Sequence, residues 1–323
     1  MSTVLLILGI ISIFFALNMG ASGIAPSFAA AFGAKLITRK SAVVLFAVFV
    51  ILGAIILGRN VAVTLGGKLL AKEFISLPVA LIIVSAASLS LFMANILKIP
   101  QSTSQVTVGA ITGAGLYFKA LALKILFFNI VLAWVMLPIL SFLITFFVFK
   151  IIYPPCHGNF YLYQKIFSNE KKLQLCTLVV SCYVALAIGA NNVGNVAGPL
   201  YGAGVLGVNS GLILFAPLFG VGAWFMGKGT IETTGRDIVP IGLVSSSVVS
   251  FVTATLLIFA SILGIPQSLV QLNVFAIFAI SCMKNGHKST MESHVTTKTL
   301  AVWVITPLIS TALAYFSLTL LKR

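Results

Sequence analysis

The stretch Gly189-Ala190-Asn191-Asn192-Val193-Gly194-Asn195-Val196-Ala197-Gly198-Pro199 decides how this chain is read. It sets three asparagines, three glycines and a proline into strongly apolar surroundings. Val179 to Ile188 before it is hydrophobic enough to lie in lipid, and Leu200 to Phe219 after it is almost free of charge. Glycine and proline weaken a helix at that depth, and asparagine offers both donors and acceptors. Irregular backbone inside a bilayer is tolerated only where protein or a water-filled cavity satisfies it. The stretch is therefore expected to be a break that lines a solute path.

The chain has 323 residues, 60% of them hydrophobic and 8% charged, and a mean hydropathy of +1.15. A soluble domain carries about 25% charged residues. Runs of about 20 apolar residues, the length that crosses the hydrocarbon, recur throughout. These features predict a multi-pass protein of the cell membrane, with the lipid bilayer as its principal partner. The net charge of +15 sits in short links between apolar runs, which argues against nucleic acid and for the basic bias of cytoplasmic loops. Four cysteines without a C-x-x-C spacing read as buried free thiols, and Cys156-His157 has too few neighbouring ligands for a metal. No Lys or Arg precedes Lys35, so Val4 to Ala16 is read as a retained first span.

A second polar patch, Asn18 to Ser27, resembles the first and is expected to break its helix in the same way. Lys150 to Lys172 is the most hydrophilic stretch and reads as a central cytoplasmic loop. Beyond it the pattern returns. Gly189-Ala190 answers Gly20-Ala21, Gly227-Lys228 answers Gly58-Arg59, and Trp303 with Pro307 answers Trp134 with Pro138, each 169 positions later. Ile265-Pro266-Gln267-Ser268 answers Ile99-Pro100-Gln101-Ser102 at 166 positions. One recurring offset marks an internal duplication. The expected organisation is a membrane repeat at 1–150, a cytoplasmic loop at 151–172 and a second repeat at 173–323. Five passes in each half would invert one repeat against the other, with discontinuous helices meeting near the midplane. The expected fold class is thus an all-α integral membrane protein of two inverted-topology repeats with broken or re-entrant helices. An outside N-terminus would place 13 of the 20 Lys and Arg residues on the inner side.

The polar patches suit an anion. Ser102, Thr103, Ser104 and Gln105 follow Pro100, where a helix would begin, and Ser268 and Gln271 follow Pro266. A helix N-terminus presents unpaired N–H groups and the positive end of the dipole. Ser22, Gly23, Asn191, Asn192 and Asn195 could complete a neutral cage. None of the five acids lies in these patches. A carboxylate is the usual acceptor for the proton of hydrogen phosphate, whereas sulfate has no proton to give. Donors without carboxylates therefore suit sulfate. Glu232 is read either as a ligand for a coupling cation or as an interfacial acid paired with Lys228 or Arg236. The G-x-G-x-x-G match at Gly202 to Gly207 lacks the strand–helix context of a dinucleotide site. His157, His287 and His294 fall in links, which leaves no catalytic dyad at depth.

At these patches the chain resembles the inorganic phosphate transporter (PiT) family, whose members carry G-x-N-D-x-x-N in both halves. The second half matches through Gly189, Asn191, Asn195, Gly198, Pro199 and Leu200, with Asn192 where the family has Asp. In the first half Ser22, Gly23 and Pro26 stand where Asn, Asp and Asn are expected. The family's P-x-S-T-T-H stretch is matched by Pro100, Ser102, Thr103 and Ser104, with Gln105 in place of His. In the second half Ser268 is kept, while Leu269, Val270 and Gln271 replace the rest; Glu232-Thr233 also fits. The runs Asn18 to Gly23 and Pro100 to Ser104 are similar to the sulfate permease branch. The resemblance implies an ion-coupled oxyanion symporter without a cofactor, driven by H+ or Na+, importing sulfate or alternatively phosphate. It further implies a homodimer, a substrate site at the Ser, Thr and Asn patches, and no enzymatic activity.

Overall fold

The structure is a computed structural model that describes residues 2–96, 101–232, 242–286 and 294–321. Pro100, Asp237 and Glu292 lie outside the described residues. So does Arg236, the second partner considered for Glu232. The described residues form helices, and their one extended pairing is an isolated bridge between Leu70 and Leu121. In chain order the helices are α1 (Ser2–Gly33), α2 (Arg39–Leu57), α3 (Arg59–Val63), α4 (Leu77–Ile96) and α5 (Thr103–Phe118). They continue with α6 (Leu132–Ile152), α7 (Phe160–Phe167), α8 (Glu170–Asn192), α9 (Gly194–Gly202) and α10 (Val208–Met226). The last three are α11 (Leu243–Ile262), α12 (Leu269–Asn285) and α13 (His294–Leu321). Eight helical segments among the described residues are long and apolar enough to cross a membrane. α5 and α12 are shorter, which fits half-helices that start inside the bilayer.

Burial is distributed as lipid solvent requires. Phe225, Phe128 and Leu6 are 76%, 71% and 64% exposed, while Asn191, Asn195, Ser104 and Gln267 are fully enclosed. A surface of this kind would aggregate in water but is at home against acyl chains.

The duplication extends to element boundaries. α2 and α10 each have 19 residues and begin 169 positions apart. α4 and α11 each have 20 and begin 166 apart, the offset that also separates Thr103 from Leu269 at the starts of α5 and α12. Packing partners are exchanged between the halves: α1 lies on α10 and α2 on α8, α5 lies on α13 and α12 on α6. Small residues make the close approaches. Gly20 abuts the backbone of Phe219 and Gly222 that of Leu17, and the matching pairs are Gly189 with Val50 and Gly53 with Leu186. With no solvophobic force between helices in lipid, such backbone proximity supplies the packing.

Four expectations are corrected. The patch Asn18 to Ser27 does not break its helix: α1 runs through it, with Pro26 inside. Pro26 has no N–H, so one ladder bond, to the Ser22 carbonyl, is lost, whereas unwinding would strand several backbone groups away from water. The stretch Gly189 to Pro199 is likewise interrupted only at Val193, which keeps right-handed helical angles between α8 and α9. At about 1.5 Å per residue, α1 is about 48 Å long and must tilt within, or project beyond, about 30 Å of hydrocarbon. The link at 150–172 is also not all loop, since it holds α7 and α8 already opens at Glu170. Finally, Cys182 and Cys282 are buried, but Cys156 and Cys176 are exposed.

The real interruptions are the two Pro-Gln-Ser segments. Residues 101–102 precede α5, and 263–268, a turn followed by the unwound residues 265–268, separate α11 from α12.

Candidate functional site

Two helix starts converge here. Ser102 caps α5 by accepting the Gln105 N–H at 3.3 Å, and Ser268 caps α12 by accepting the Gln271 N–H at 3.2 Å. Each helix continues with its next ladder bond, from Val106 N to the Ser102 carbonyl and from Leu272 N to the Ser268 carbonyl. The N–H groups of Thr103, Ser104, Leu269 and Val270 in those first turns have no ladder partner by helix geometry. Ser104 Oγ lies 3.1 Å from the Gln267 carbonyl and ties the two starts together. Trp134 from α6 donates to the Pro266 carbonyl at 2.8 Å, which braces the second segment from behind.

α8 and α9 supply the asparagines. Asn191 Oδ1 accepts from Gln267 N at 3.0 Å and from Ser104 Oγ at 3.3 Å. Its Nδ2 donates to Ser261 Oγ at 2.9 Å and to the Ile265 carbonyl at 3.1 Å. Asn195 Nδ2 donates to Thr103 Oγ1 at 3.3 Å and Ser104 Oγ at 3.4 Å. Residues from both halves, far apart in the chain, thus share one buried knot.

Several enclosed polar atoms in these segments have no partner among the described residues. They are the side-chain oxygens of Gln101, Gln105, Asn192, Asn195 and Gln271, and both amide atoms of Gln267. Gln267 is 0% exposed. A buried polar group left unpaired is costly, and such groups call for a ligand, water or ion. The cage is therefore not made of donors alone, as the charge argument assumed, because bare amide oxygens stand among the N–H and O–H groups. The described side chains that form it are neutral. The three described acids, Glu73, Glu170 and Glu232, form no hydrogen bond to it among the described residues.

The predicted residues divide into two groups. Ser102, Thr103, Ser104, Gln105, Asn191, Asn195, Ser268 and Gln271 all lie in the two helix starts or the knot joining them, and Asn192 neighbours it. Among the described residues no hydrogen bond joins Ser22 or Gly23 to it. Ser22 returns its hydroxyl to its own helix, at Asn18 O (3.2 Å) and Met19 O (3.1 Å), and Gly23 lies under the Phe46 ring. Glu232 sits half-buried at the end of a short helical turn at 228–232. Ser261 and Gln267 were missed. Gln267 pairs with Gln101 at the 166-residue offset and could have been found there, whereas nothing in the sequence marks Ser261.

Half-helices meeting inside a bundle of apolar spans define a multi-pass membrane permease. The chain belongs to the phosphate transporter family, whose profile matches residues 19–314. It is 36% identical over 313 residues to "Sulfate permease CysP" of Bacillus subtilis (strain 168), covering 97% of this chain and 86% of that one. A solved structure titled "The sodium-dependent phosphate transporter" superposes with a TM-score of 0.80 over 98% of this chain and 99% of that one, at 24% identity. The relatives are permeases, and the chain is a transporter, not an enzyme.

Proposed function

We propose that this protein is a secondary active transporter of the cell membrane that imports inorganic sulfate together with a cation. The observation that carries the reading is the meeting of two serine-capped helix starts in a buried knot that holds no carboxylate among the described residues. The N–H groups of Thr103, Ser104, Leu269 and Val270 face an oxyanion, with the hydroxyls of Ser102, Thr103 and Ser268 as further donors. The neutral cage spares a dianion the repulsion that a buried carboxylate would impose. The named sulfate permease among the relatives supports the same substrate. The bare oxygens of Asn192, Asn195 and Gln105 suit the co-transported cation, H+ on a carrier water or Na+. Glu232 is a second, weaker candidate for that role. No resident cofactor is proposed.

Transport would proceed by rocking of the two halves. Gly109 meets Pro307 and Gly113 meets Thr311, so α5 and α13 advance together. α5 meanwhile turns back at Lys119, in the left-handed region, into α6. These relations support the inverted arrangement, and a pair of copies in the membrane belongs to the same proposal. Phosphate is the second reading, favoured by the same bare oxygens, which could accept the proton of hydrogen phosphate.

Radiolabelled sulfate uptake into proteoliposomes, with an imposed pH gradient and with or without sodium, tests the proposal. Saturable accumulation that unlabelled sulfate suppresses and phosphate does not is the expected result. Equal competition by phosphate would move the assignment to the second reading.

A further inference from the structure

We propose that Asn191 is a positioning residue, a strut that sets the start of α12, and that it does not touch the transported solute. An amide side chain has two N–H donors and two carbonyl lone pairs. Protein reaches all four: Gln267 N donates to the oxygen, the Ser104 hydroxyl proton is shared between that oxygen and the Gln267 carbonyl, and the nitrogen donates to Ser261 Oγ and the Ile265 carbonyl. The residue is 0% exposed. A solute could bind it only by displacing one of these bonds. Its neighbours differ in this respect, since Asn192 and Asn195 each keep a bare buried oxygen.

The four partners explain the role. Ser261 is in the last turn of α11, Ile265 and Gln267 lie in the unwound segment, and Ser104 is in the first turn of α5. One side chain therefore fixes the path of the chain from α11 into α12 and registers it against the other half-helix. At residue 22, which stands 169 positions earlier, the Ser22 hydroxyl donates within α1, to the Asn18 and Met19 carbonyls. Among the described residues the start of α12 is anchored to α8 through Asn191, and that of α5 is reached by Asn191 at Ser104 and by Asn195 at Thr103.

The inference rests on the oxyanion reading only for the identity of the solute. Its test is hydrogen–deuterium exchange of the full-length protein in nanodiscs, in the complete absence of sulfate and phosphate. In Asn191→Ala, exchange in the peptide spanning residues 262–270 should accelerate at least tenfold. Ser261→Ala, which removes one of the four bonds, should give a smaller rise in the same peptide and keeps the test open if the first variant does not fold. In uptake assays Asn191→Ala should lower the rate at saturating sulfate at least fivefold. Unchanged exchange in both variants without anion, together with a raised KM alone, would overturn the strut and make Asn191 a ligand. Failure of the unmodified protein to take up sulfate would instead overturn the substrate reading and leave the exchange result standing.

Discussion

Gly20 lies directly against the carbonyl of Phe219, and any side chain there would collide with backbone that has no freedom to yield. Its counterpart Gly189 meets the carbonyl of Val50 in the same manner. Gly20→Ala and Gly189→Ala should each destabilise the fold by about 1–3 kcal/mol, the usual cost of overpacking. Thermal unfolding in detergent would check this. Gly9→Ala, at a position with open space around it, serves as the unaffected control.

Ser141 donates to the Leu272 carbonyl at 2.9 Å, and Ser310, 169 positions later, donates to the Val106 carbonyl at 2.6 Å. Both serines are 0% exposed. Interhelical hydrogen bonds in membrane proteins contribute about 0.6 kcal/mol on average. Ser141→Ala and Ser310→Ala should each cost about 0.5–1.5 kcal/mol. The bonds share no partner, so the double variant should show the sum of the two. Equilibrium unfolding in SDS provides the measurement.

Asn192→Asp would place a carboxylate in the neutral cage. Sulfate uptake should fall at least tenfold near neutral pH, because the introduced charge repels a dianion. Uptake should recover as pH falls and the carboxyl takes up a proton. Phosphate, which can donate its own proton to the new acceptor, should become the better competitor. Inhibition of labelled sulfate uptake by unlabelled phosphate, measured against pH, tests the reversal.

Ser102→Ala and Ser268→Ala each remove a cap, which costs about 1 kcal/mol. Each also deletes a hydroxyl from the proposed anion site, so sulfate affinity should drop three- to tenfold. Ser→Thr at either position keeps the oxygen and should restore most of the binding. Calorimetric titration of the purified protein with sulfate distinguishes these outcomes.

The duplication was legible because Trp134 and Trp303, or Gly20 and Gly189, survive as paired landmarks, and the helix boundaries follow the same offsets. The caps were legible too, since Ser after Pro-Gln at an apolar boundary has few other uses. The course of α1 through Pro26 was not. Breaker rules describe chains with water at hand, and in lipid the helix persists through a single lost bond. The engagement of Asn191 was equally hidden. It depends on Ser261 and Ile265, brought in by the packing of α11 on α8, and a polar residue in a polar motif looks the same whether its valences are open or closed. Ser22 was equally silent, for nothing in the sequence shows that its hydroxyl donates back to the Asn18 carbonyl of its own helix.

The exchange of partners between halves has a consequence for how the chain could be divided. α1 has its glycine face filled by α10, and α8 has its own filled by α2, so neither half closes on itself. A cut in the link at 153–159 should yield two fragments that are unstable when synthesised singly and recover transport when made together in one cell. The protein is in this sense an obligate couple written on one strand.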